Sequence, residues 1–186
     1  MGKLTITETP LKDLFVVETK PYVDYRGEFA RWFCEEELAE ILGKRHIKNV
    51  NFSRTVKKGS IRGMHFQNPP HAEMKLVRCI KGKVFDVAID LRLNSKTYLQ
   101  WHCVELSAEK MNMFVIPEGF AHGFQTLDEN VEMLYFHTEF YNKMSENAVR
   151  YDDPKLNIQW PLQITEISEK DGKHPFIDTD FIGVQI

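Results

Sequence analysis

From Lys83 to Arg92 the chain alternates Phe85, Val87, Ile89 and Leu91 against Asp86, Ala88 and Asp90. A period of two is sorted onto opposite faces only by an extended backbone. Short apolar runs follow at Trp101 to Leu106, Met113 to Ile116 and Val131 to Phe136, each bounded by turn-type residues or by Pro117 and Gly119. Glu35 to Leu42 alone reads as helix, with Leu38, Ile41 and Leu42 at helical spacing, acids at the start and Gly43-Lys44-Arg45 at the end. Many short strands with one helix predict an antiparallel sandwich or barrel, whose open mouth can gather polar side chains from several strands. Lys75 to Ile80, Lys81-Gly82 and the Lys83 arm read as a two-residue hairpin. That register sets Lys75 opposite Ala88, with Asp86 and Asp90 as diagonal neighbours.

The 186 residues, 42% of them hydrophobic, suit one domain spanning 1–186, and no repeat or Pro/Gly/Ser-rich linker divides them. A formal net charge of -3 leaves no positive excess for a nucleic-acid backbone, and Lys57-Lys58 and Lys81/Lys83 read as solvated turns. Cys34, Cys79 and Cys103 are odd in number and lack a C-x-x-C spacing, so reduced, mostly buried thiols are expected rather than disulfides or a thiolate zinc site. Met1 to Lys20 scatters charges among its apolar residues, unlike a signal peptide, and no stretch approaches the ~20 apolar residues of a membrane span. The expectation is a cytoplasmic protein without membrane or nucleic-acid partners.

Two segments hold the candidate chemistry. Ser60 to Gln67 presents Arg62 and His65 among apolar neighbours, and Ile116 to Phe124 presents His122 from a loop fixed by Pro117, Gly119 and Gly123. Pro117-x-Gly119-x-x-His122 resembles half of the cupin metal signature. The other half would be a His-x-His pair with a following Glu, but Gln67 stands two residues after His65, and Glu73 alone does not replace the missing imidazole. No metal and no cofactor are expected.

Arg62 to Gln67, Lys75-Leu76-Val77, Phe85 to Arg92, Pro117 to Phe124, Asp152-Asp153-Pro154, Ile158 to Pro161 and Ser168 to Asp171 fall in the order and spacing of the dTDP-4-dehydrorhamnose 3,5-epimerases. The resemblance runs from about Tyr22 to Pro175. It implies an all-β, cupin-like jelly roll with one or few short helices, usually a homodimer, acting on a nucleotide sugar. The implied reaction takes dTDP-4-dehydro-6-deoxyglucose to dTDP-4-dehydrorhamnose. Removing a proton beside a ketone requires a base, a stabiliser for the enolate oxygen and a proton donor on the opposite face. By the resemblance His65 is the base, Asp171 orients it, Lys75 faces the enolate oxygen with Asp86 or Asp90 holding it, and Tyr135 is the acid. Substrate binding falls to Arg26, Arg62, Asn49, Asn51, His122, Tyr141, Glu146 and Lys170, with Arg26 and Arg62 at the nucleotide end, where a guanidinium suits phosphate oxygens.

Three departures bear on the substrate. Arg31 stands where the family has Glu, Asn49-Val50-Asn51-Phe52 replaces Gln-Asp-Asn-His, and Tyr22 replaces a Phe. Inversion at C3 alone or C5 alone, a CDP, GDP or UDP sugar, and a non-catalytic sugar-binding cupin are the competing readings.

Overall fold

A computed structural model describes residues 3–186. In chain order the elements are β1 (Leu4–Glu8), β2 (Phe15–Thr19), β3 (Tyr22–Asp24), β4 (Gly27–Phe29), α1 (Ala39–Leu42), β5 (Asn49–Thr55), β6 (Ile61–Gln67), β7 (Lys75–Lys81), β8 (Lys83–Asp90), β9 (Trp101–Ser107), β10 (Met113–Ile116), β11 (Phe120–Thr126), β12 (Val131–His137), β13 (Glu146–Ala148) and α2 (Glu169–Gly172). The larger sheet runs β1-β2-β10-β7-β12-β5 and the smaller β13-β6-β11-β8-β9, while β3 and β4 form a separate hairpin. Every ladder is antiparallel. The architecture is the expected jelly roll.

Alternation along each strand builds three layers of core. Val77, Phe114 and Met133 of the larger sheet meet Val84, Leu106 and Phe124 of the smaller inside the barrel. Leu76, Met113 and Val115, pointing the other way, are covered by Leu38 and Leu42 of the α1 segment. Met64, Phe66, Val87 and Ile89 are covered by Val149, Leu156, Ile158 and Ile177 of the C-terminal segment. The apolar face of β8 therefore packs outward, and its other face, with Asp86, Ala88 and Asp90, looks into the barrel. All three are fully buried.

The expected hairpin does not form: β7 pairs with β10 and β12, and β8 pairs with β11 and β9. Lys81-Gly82 is instead the corner at which the chain leaves one sheet for the other. The two-residue hairpin turns need positive φ at both central residues or glycine at the first, whereas here Gly82 alone, the second residue, is left-handed, at φ 75°. β7 is buried on both faces from Lys75 to Cys79, and it sits inside its sheet with a partner on each side.

The expected helix is shorter than Glu35 to Leu42. Glu35 to Leu38 forms turns, and α1 begins at Ala39 without a side-chain cap. Glu37 is instead drawn to Arg31 and to the Leu4 N–H, and Glu35 to His46. A second helix, α2, is capped by Ser168, whose hydroxyl accepts from Asp171 N–H. All three cysteines are unpaired, but only Cys79 is buried, since Cys34 and Cys103 are half-exposed. Among the described residues no helix is long and apolar enough to cross a membrane.

A Cβ on Gly82 would lie 3.1 Å from Val131 Cγ2 on a left-handed backbone. Gly82→Ala is expected to cost about 1–2 kcal/mol. Urea unfolding should show this as a lower midpoint at unchanged slope.

Candidate active site

Between the sheets, at one end of the barrel, a cleft of about 650 Å³ is lined by His65, Arg62, Lys75, His122, Tyr135 and Asp171, together with Asn51, Ser53 and His137. Arg62 and His65 are three residues apart and would normally face opposite sides of a strand. They share the cleft because β6 is bulged. His65 pairs with His122 and Arg62 with Phe124, so three steps on β6 match two on β11. On the opposite sheet Tyr135 pairs with Asn51, and His137 with Asn49.

His65 Nε2 lies 2.8 Å from Asp171 Oδ1. Burial pushes the Asp171 carboxyl up, but the hydrogen bond and charge of His65 and the Gly63 N–H outweigh it and hold it below the usual carboxylate range. An ionised Asp171 only accepts, so Nε2 carries the proton and the neutral ring keeps its lone pair on Nδ1. The His174 ring stands edge-on to His65, with centroids 6.3 Å apart.

Lys75 is not held by Asp86 or Asp90. Its ammonium donates to the His65 carbonyl at 3.2 Å and pairs with Glu73 at 3.3 Å. With β7 and β8 in different sheets, the register that would have joined them does not exist. Asp86 pairs with His122 at 2.8 Å, and Asp90 is taken by Arg92, Ser95 and Thr97. Glu73 also binds His137 Nδ1 at 2.7 Å. Burial raises Glu73, yet the His137 hydrogen bond and the Lys75 charge more than compensate, leaving it below its ordinary value. The Tyr135 hydroxyl shares a 2.8 Å hydrogen bond with Ser53. Burial pushes this phenol well above its ordinary value, so it stays protonated at neutral pH.

Not every expected binding residue reaches this cleft. Tyr141, Glu146 and Lys170 form a separate cluster, with Glu146 accepting from the Tyr141 hydroxyl at 3.0 Å and from Lys170 at 2.7 Å. Asn49 lies beyond the lining, its Oδ1 buried without a partner. Arg26 sits at the tip of the β3–β4 hairpin, paired with Asp24, and Tyr22 lies on the same hairpin. Arg31 is engaged by Glu37 and does not line the cleft. Ser53 and His137 line the site but escaped the sequence reading, and Glu73, weighed there only as a metal ligand, is the carboxylate that holds Lys75. For Ser53 and His137 a signal existed, since each shares strand parity with an expected residue, Ser53 with Asn51 and His137 with Tyr135.

The family model described as dTDP-4-dehydrorhamnose 3,5-epimerase matches residues 8–179. The dTDP-4-dehydrorhamnose 3,5-epimerase of Shigella flexneri is 39% identical over 180 residues, covering 96% of this chain and 99% of that protein. The enzyme of the same name from Salmonella typhimurium is 41% identical over 177 residues, covering 94% and 96%. Among solved structures, the dTDP-6-deoxy-D-glucose-3,5-epimerase of Legionella pneumophila in complex with dTDP-4-keto-L-rhamnose superposes with a TM-score of 0.90 at 39% identity, covering 98% of both chains. With a jelly roll of the same topology class and a match across nearly its whole length, the chain belongs to the dTDP-4-dehydrorhamnose 3,5-epimerase family.

Proposed function

We propose that this chain inverts the carbons flanking the ketone of dTDP-4-dehydro-6-deoxyglucose, yielding dTDP-4-dehydrorhamnose, with His65 as base and Tyr135 as acid. The observation that carries this reading is their placement on opposing sheets across one cleft. Inversion takes the proton from one face of the sugar and returns it to the other, so base and acid must face each other across the ring. Asp171 keeps the His65 lone pair on Nδ1 and stabilises the imidazolium that forms. Lys75, on the strand beside that of Tyr135 and reaching across to the His65 carbonyl, meets the negative charge that develops on the ketone oxygen.

Arg62 lines the cleft and suits the pyrophosphate, with Asn51 and His122 beside the sugar. Tyr141, Glu146 and Lys170 form a polar rim next to His65 for the distal end of the substrate. Arg26 is assigned to the nucleotide of a second copy's substrate. It lies outside its own cleft, on a hairpin that exposes Tyr22, Tyr25 and Phe29 at 60%, 96% and 63%. So much apolar surface on one hairpin calls for a covering surface. A homodimer provides it while carrying Arg26 across the interface. The unpaired cysteines fit a reducing compartment, and we place the enzyme in the cytoplasm.

Incubation with dTDP-4-dehydro-6-deoxyglucose in D2O should introduce deuterium at C3 and C5, and the count of deuterons distinguishes two centres from one. Failure to exchange any proton of this sugar, or of its CDP, GDP and UDP counterparts, would remove the reading in favour of a non-catalytic sugar-binding protein. His65→Asn is expected to lower exchange by about 10²–10⁴ with dTDP affinity retained. Lys75→Met should lose about 10²–10³. Tyr135→Phe should still wash deuterium into the sugar yet leave its configuration unchanged; equal loss of exchange and inversion would deny Tyr135 the acid's role.

Arg26→Ala and His65→Asn, each nearly inactive alone at low substrate, should complement when unfolded and refolded together. A random mixture of dimers restores about a quarter of wild-type activity if Arg26 acts across the interface. No recovery would place Arg26 and His65 in the same subunit's site.

A further inference from the structure

Beside the cleft, one ring nitrogen each of His65 and His174 and a carboxylate oxygen of Asp171 lie within 4.8 Å of one another. Asp171 is buried on α2, and His174 lies in the bend that follows the helix, its ring edge-on to His65. His174 Nε2 is buried and has no hydrogen-bond partner. A buried polar atom left without a partner destabilises the fold that holds it. Two imidazoles and one carboxylate around a shared point are the donor set of borderline transition-metal ions and not of calcium or magnesium, which prefer oxygen alone.

We propose that His65, Asp171 and His174 form a binding site for a divalent transition-metal ion, zinc above all, and that its occupation switches the enzyme off by capturing the base. This rests on the reading of His65 as that base. Metal–ligand bonds of about 2.0–2.1 Å set donor atoms on a tetrahedral ion roughly 3.3 Å apart. The His65–Asp171 contact of 2.8 Å must open slightly and His174 must move in, shifts within reach of side-chain rotation.

Inhibition follows whichever nitrogen of His65 binds. An ion on Nδ1 takes the lone pair that would accept the substrate proton. An ion on Nε2 replaces the proton now shared with Asp171, and the neutral ring then carries its proton on Nδ1, which is no longer a base. Asp171, drawn to the metal, also ceases to stabilise an imidazolium. His174 takes no part in proton transfer as assigned above, which makes it the residue by which the two functions can be separated.

The test uses Co2+ as a visible probe and Zn2+ as the inhibitor. Wild-type protein without substrate should bind one Co2+ with the intense visible absorption of a four- or five-coordinate ion, and Zn2+ should displace it. Zn2+ should suppress deuterium exchange, and EDTA should restore it. His174→Gln should keep its metal-free exchange rate within about two-fold, while needing at least about ten-fold more zinc for the same inhibition, since even outer-shell partners of a metal site change affinity by ~10–100-fold. A Co2+ spectrum unchanged by His174→Gln overturns the site, whether or not any sugar undergoes exchange. Equal zinc sensitivity of variant and wild type, or faster exchange with zinc, overturns the switch. If no nucleotide sugar exchanges at all while Co2+ binding depends on His174, the epimerase reading and the switch fall together and the metal site alone stands.

Discussion

Where β6 crosses β11 the two backbones approach too closely for either to carry a side chain. A Cβ on Gly63 would lie 2.5 Å from Gly123 Cα, and one on Gly123 would lie 2.5 Å from Met64 Sδ and 2.6 Å from the Arg62 carbonyl. This contact fits the extra residue of β6 into the ladder. Without it, strand parity would turn His65 outward toward the C-terminal segment and bring Met64 and Phe66, which now pack there, to the inner face. With it, Arg62 and His65 both enter the cleft and His65 stands beside His122. The position of the candidate base is thus set by two glycines, through their lack of side chains.

The barrel has an apolar end and an ionic end, and they contribute differently. Phe114, Phe124 and Leu106 fill the first, where each large side chain adds about 1.5–3 kcal/mol on burial. The second holds the pairs His65–Asp171, His122–Asp86, and Lys75 and His137 on Glu73. Isolated charges there would cost several kcal/mol each, and a buried pair does little more than recover that loss. Asp86 shows how close the balance is. It is wholly buried, one of its oxygens has no partner, and burial raises its carboxyl despite the charge and hydrogen bond of His122. An apolar substitute could fill the same space with less conflict, so these pairs are explained by chemistry in the cleft and not by stability.

What could be read from the sequence follows the same division. Period-two alternation gave the strands and an antiparallel sandwich or barrel, while the family resemblance implied the jelly roll and the grouping of His65, Lys75, Tyr135 and Asp171 that the cleft shows. The β7–β8 connection was misread because apolar alternation shows that a segment is a strand but not which strand it joins. Only the φ of Lys81, a conformational quantity, separates a hairpin from a corner between sheets. Lys75 was consequently given Asp86 and Asp90 as partners, when its carboxylate, Glu73, lies two residues away in a loop without periodicity. The short α2 helix was missed because four residues cannot display a helical period; its legible trace was Ser168 placed three residues before Asp171, as a cap requires.

The arrangement of charges also bears on rate. With His65 as base, the transition state separates charge, positive on the imidazole and negative on the ketone oxygen. Asp171 already stands at the positive end and Lys75 at the negative end, so the field is present before the proton moves and no solvent need reorganise. At an effective dielectric near 20, two unit charges about 4 Å apart interact by about 4 kcal/mol, enough for either partner to matter. Glu73 would cancel part of this by neutralising Lys75. Its shorter contact is with His137, 2.7 Å against 3.3 Å, and His137 is held on its other side by Asn51. Shared in this way, Glu73 anchors the ammonium without claiming all of its charge, and leaves Lys75 able to meet the enolate.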